Sequence, residues 1–97
     1  MRVSASALEA FVAELFVHHG ATADEAQEVA HHLVGSNLGG HDSHGVMRAP
    51  WYMEKIDKGE IVPGALPTIE RPTPTTAIVD GHWGFGPPIA RRAMELA

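Results

Sequence analysis

Two glycine stops cut the first forty residues into segments too short to be stable by themselves. Residues 6–19, SALEAFVAELFVHH, place Leu8, Phe11, Val12, Leu15 and Phe16 at helical spacing, and Gly20 follows. Residues 22–38 repeat the device, with Ala26, Val29, Ala30, Leu33 and Val34 along one face before Gly39-Gly40. Ser6 with Glu9 and Thr22 with Glu25 each have capping-box spacing. Helices this short are marginal in water, and neither buries its stripe alone. The pattern predicts an antiparallel hairpin of two helices with the stripes face to face.

The rest of the chain extends this start. A third helix is expected over 48–58, RAPWYMEKIDK, with Pro50 in its first turn and Gly59 at its end. The texture then changes to Pro, Thr and β-branched residues. Thr76–Asp80 reads as the best strand, pairing with Leu66–Glu70 across an Arg71–Thr75 turn. GHWGFGPP reads as a loop, with Trp83 and Phe85 packed beneath it, and PIARRAMELA starts a fourth helix. The expected fold class is α+β: helical over 1–59, extended over 60–86, helical again from 87. One two-stranded hairpin is too little sheet to stand alone, and the last helix ends in mid-pattern at Ala97. The expectation is a single N-terminal segment of something longer.

Composition narrows the function. With 44% hydrophobic and 20% charged residues, the chain has the make-up of an ordinary globular domain. A net charge of −5, with Arg91-Arg92 as the only adjacent basic pair, argues against nucleic acid or an anionic membrane surface as partner. The absence of cysteine excludes disulfides, thiolate nucleophiles and Cys-based zinc sites, and suits a cytoplasmic location. No stretch approaches the roughly 20 apolar residues of a membrane helix.

The chemically able side chains crowd into GGHDSHGVMRAP, residues 39–50. Histidine exchanges protons near neutral pH without large tuning. Ser43 precedes His44 and is placed to orient it or relay a proton. Gly45 lets the backbone turn and a ligand approach closely. Arg48 lies four residues beyond His44 and Tyr52 four beyond that, a spacing that stacks side chains along a helix face. A pocket follows, with Arg48 gripping a carboxylate through two parallel hydrogen bonds and His44 beside the neighbouring carbon. The plainer reading has Ser43 capping a helix, His44 exposed, and Arg48 paired with Glu54 or Asp57.

Two other patterns lose to structural explanations. The seven histidines include adjacent pairs, His18-His19 and His31-His32, which point about 100° apart on a helix and rarely share an ion. No bound metal is expected. Gly84-Phe85-Gly86-Pro87-Pro88-Ile89 imitates a dinucleotide fingerprint, but two prolines stand where N–H groups would cradle phosphate.

Taken together, GGHDSHGVMRAPWYMEKIDKGEIVP, TAIVDGHWGFG and the helix with ARRAM resemble the type-2 malate/L-lactate dehydrogenase family. That family includes ureidoglycolate and sulfolactate dehydrogenases and an imine reductase acting on cyclic 2-carboxylates. The most specific parts are the DSHG-x-x-R-x-x-x-Y run at 42–52 and the VDG-x-x-G-x-G turn at 79–86. The resemblance implies an oxidoreductase that uses NAD or NADP, on a non-Rossmann fold, to interconvert a 2-hydroxy acid and a 2-oxo acid. It implies His44 as acid/base, Ser43 as its relay partner, Arg48 as carboxylate ligand and Tyr52 as pocket wall. It also implies a cofactor site beyond residue 97, a homodimer when full-length, and an inactive isolated segment. Gly39 departs from the larger residue, often arginine, found there in many members. The alternative is a small helical interaction module, with these side chains in solvent and an apolar groove elsewhere.

Overall fold

The computed structural model describes residues 2–97. Its elements are α1 (Ala5–His18), α2 (Ala23–Leu38), two short 3-10 turns (Asp42–His44 and Val46–Arg48), α3 (Ala49–Asp57), β1 (Thr68–Thr73), β2 (Thr76–Asp80) and α4 (Gly86–Leu96). The α+β class and the order of helical hairpin, third helix, β-hairpin and final helix match the expectation. Among the described residues, no helix is long and apolar enough to cross a membrane.

The hairpin of α1 and α2 forms because each helix has a defined start and one apolar face. At α2, Thr22 Oγ1 accepts from the Glu25 N–H at 3.2 Å while Glu25 Oε2 accepts from the Thr22 N–H at 2.8 Å, the expected capping box. The same Glu25 oxygen accepts from Gly64 N–H at 2.7 Å, which moors the segment after α3 to the start of α2. Thr22→Ala is therefore expected to cost the full-length protein about 1 kcal/mol in denaturant unfolding. A change below about 0.3 kcal/mol would show that the cap contributes little. The connection turns at Gly20, whose φ of +98° suits glycine.

The start of α1 corrects the reading of the sequence. Ser4, not Ser6, caps the helix, accepting from Ala7 N–H at 3.2 Å. Glu9 instead bonds His31 Nδ1 on α2 at 3.0 Å, so the polar flank of the hairpin takes it. Phe11 is exposed as well. The inward line follows the i, i+4 steps of partly buried Leu8 and buried Val12 and Phe16, and leaves position 11 on the flank. All five residues of the expected α2 stripe are buried.

The core comprises Val12, Phe16, Ala21, Ala26, Val29, Ala30, Leu33, Ala49 and Phe85. Phe16, fully buried, is its hub. Its ring meets Tyr52 of α3 edge-on at 5.8 Å and Phe85, just before α4, at 5.7 Å. Outside the core, α4 is clipped to α2 by Arg91, whose Nε and Nη2 donate to Glu28 at 2.7 and 2.8 Å.

The β-hairpin pairs Thr68 with Asp80, Ile69 with Val79, Glu70 with Ile78 and Thr73 with Thr76. β1 thus runs three residues further than expected, and only Pro74-Thr75 make the turn. Pro72 has no N–H to donate, and the register slips between Glu70 and Thr73 around it. The Thr73 and Thr76 hydroxyls, 2.6 Å apart, then close the tighter turn. Leu66 lies outside the strand and is exposed.

Candidate active site

The chain between α2 and α3 builds the site from two consecutive 3-10 turns. The first carries Ser43 and His44, the second ends on Arg48, and α3 continues directly with Tyr52. The helical stacking suggested by the spacing holds only from Arg48 onward, because Gly45 breaks the run in an extended conformation, φ −91° and ψ −154°. The break still leaves the groups together. His44, Arg48 and Tyr52 line one cleft of about 200 Å³ with His32 and Leu33 of α2 and Trp51 of α3.

Within it, Ser43 Oγ lies 3.0 Å from His44 Nδ1, and the His41 ring stands edge-on to His44 at 4.3 Å. Arg48 Nε donates to the Ser43 carbonyl at 2.8 Å. Arg48 takes neither of the partners offered by the plainer reading. Glu54 pairs with Lys58 at 2.8 Å, and Asp57 lies 3.5 Å from His19. Tyr52 is half-buried against Phe16, and burial pushes its phenol above the ordinary tyrosine value, opposed in part by the Arg48 charge. It therefore stays protonated at neutral pH and can donate a hydrogen bond.

Two expectations about this turn need correction. Ser43 caps no helix; its hydroxyl faces the imidazole. Nor does Gly45 make room for a ligand. A Cβ there would lie 2.3–2.5 Å from the side chain of Asn37, which already occupies the space. From sequence alone Asn37, a polar residue in the last turn of α2, is indistinguishable from a surface position.

The glycine-rich turn before α4 is structural. Gly81 backs onto Ile89, whose Cδ1 would lie 2.7 Å from an added Cβ. Pro87 and Pro88 occupy the first turn of α4, so this helix start does not fit a dinucleotide phosphate. Phe85 packs beneath the turn as expected, but Trp83 does not, being 79% exposed. His82 and Trp83 adopt φ of +51° and +65°, which swings the indole outward while the Trp83 carbonyl accepts from Val62 N–H at 2.8 Å. Among the described residues, no three metal-capable side chains share a site.

A sequence model of the malate/L-lactate dehydrogenase family matches residues 3–97. The chain belongs to this family. It is 34% identical over 95 residues to hydroxycarboxylate dehydrogenase B of Escherichia coli O157:H7, covering 98% of this chain and 26% of that protein. It is 34% identical to L-sulfolactate dehydrogenase of Methanothermobacter thermautotrophicus, covering all of this chain and 28% of that protein. Malate dehydrogenase from Pyrococcus horikoshii OT3 superposes with a TM-score of 0.93 at 32% identity, over all of this chain and 28% of that structure. The chain thus spans about a quarter of the length of the curated relatives it matches. The interaction-module alternative is not favoured: the family is one of dehydrogenases, and His44 and Arg48, though exposed as that alternative expected, line a common cleft.

Proposed function

We propose that this chain is the N-terminal segment of a longer 2-hydroxy acid dehydrogenase and supplies the acid-binding, proton-handling wall of its active site. The observation that carries the reading is the cleft in which His44, Arg48 and Tyr52 meet. Arg48, with Nε committed to its own loop, keeps its terminal nitrogens for a carboxylate. The grip holds the neighbouring C2 oxygen near His44, which takes the hydroxyl proton in oxidation and returns it in reduction. Ser43 at Nδ1 orients the ring and completes a relay, and Tyr52 donates from the wall. NAD or NADP, bound by the remainder of the protein, supplies or accepts the hydride.

Homodimeric assembly and a cytoplasmic location complete the reading; family likeness supports the first and a cysteine-free chain the second. Malate, lactate, ureidoglycolate and sulfolactate, assayed on the full-length protein with each nicotinamide cofactor, test the activity. The grip is tested by Arg48→Lys. A point charge replaces a planar fork, so KM for the acid is expected to rise about tenfold or more while kcat changes less. An unchanged KM would place the carboxylate elsewhere.

A further inference from the structure

The geometry points to Asn37 as the positioning residue of this site, its side-chain amide setting the turn that presents His44 and Arg48. This rests on the functional reading above. Asn37 sits in the last turn of α2, outside the cleft lining. Its Nδ2 donates to Asp42 Oδ1 at 2.8 Å, and its Oδ1 accepts from the Val46 N–H at 2.9 Å. Asp42 opens the first 3-10 turn and Val46 opens the second. One amide therefore holds the first residue of both turns, and Ser43 and His44 lie in the short span between the anchors. The pairing also defines the amide's orientation, since the reverse would set oxygen against a carboxylate and N–H₂ against an N–H.

Two motif residues without a chemical role acquire one here. Asp42 is an acceptor for Asn37, and Gly45 leaves the space that the Asn37 amide fills, since a Cβ there would displace it. The effect reaches Arg48 through the backbone as well: Arg48 ends the turn that Val46 opens, and its Nε returns to the Ser43 carbonyl at 2.8 Å. Asn37 touches neither reacting group. It acts by fixing the frame on which both are mounted, where a misplacement of about 1 Å can cost about a hundredfold in rate.

Asn37→Ala in the full-length enzyme is expected to lower kcat about ten- to hundredfold. KM for the nicotinamide cofactor should stay within about twofold, since this chain's part of the site handles the acid. Combined with His44→Ala, the same change should add less than about twofold, because a frame has nothing left to position once the imidazole is gone. Amide exchange at Val46 should quicken about tenfold or more when its acceptor is lost. Asn37→Leu, which fills the space without either hydrogen bond, should match Asn37→Ala and serves if the alanine variant is unstable. A kcat within about twofold of the parent in whichever variant folds, losses that multiply with those of His44→Ala, or failure of both variants to fold would each overturn the role. A parent enzyme inactive on every 2-hydroxy acid would instead remove the functional reading, and Val46 exchange would still decide whether Asn37 holds the turn.

Discussion

His44→Ala in the full-length enzyme is expected to cut kcat for reduction of a 2-oxo acid by about 10²–10⁴-fold, the usual contribution of a placed general acid. The imidazole lines the cleft that Arg48 also lines, and Nδ1 is engaged by the Ser43 hydroxyl at 3.0 Å, leaving Nε2 for the substrate oxygen. On the proposed roles, its truncation would remove the proton donor and leave the carboxylate grip intact, so KM for the acid should move little beside kcat. The bond from Arg48 to the Ser43 carbonyl runs through the backbone and survives the substitution. Single-turnover reduction followed at the nicotinamide absorbance separates the chemical step from binding. A variant within about threefold of the parent would take proton transfer away from His44.

Phe16→Ala is expected to cost about 3–5 kcal/mol in denaturant unfolding, the largest loss expected from any single core truncation here. Phe16 is fully buried, and its ring is the common neighbour of Tyr52 and Phe85, which stand 6.1 Å apart. Removing it opens a cavity where α1, α3 and the start of α4 meet and frees Tyr52 from its edge-on contact. Folded protein should therefore also lose affinity for the acid. Phe16→Leu, which keeps most of the volume, should recover much of the stability. A loss below about 1.5 kcal/mol for Phe16→Ala would mean that the neighbouring side chains collapse into the space.

The helical part was legible because its signals are local. The α2 stripe, the Thr22–Glu25 box and Gly20 each act within a few residues, and each is found as read. Errors arose where the deciding partner is remote or absent from the pattern. Phe11 fits the helical period, but the face of α1 that packs on the core runs through Val12 and Phe16 and leaves Phe11 exposed. Glu9 had the spacing of a cap and found His31, 22 residues away. Trp83 carries an apolar ring outward where the backbone at His82 and Trp83 turns left-handed, a conformation that propensity does not suggest for Trp. The site residues stood out by chemistry and spacing, since Arg and Tyr four apart survive any helical start. Asn37 did not, because what distinguishes it is contact with a turn that follows it by five to nine residues.

The inward bond of Arg48 has a consequence for how such a pocket tells molecules apart. The guanidinium is tied through Nε to the peptide carrying the imidazole, and in the proposed function its terminal nitrogens would meet the acid. On that proposal, seating an organic acid would brace the imidazole through a single rigid plane. An alcohol of the same shape but without the acid group would leave that plane slack, forfeiting reactivity along with affinity.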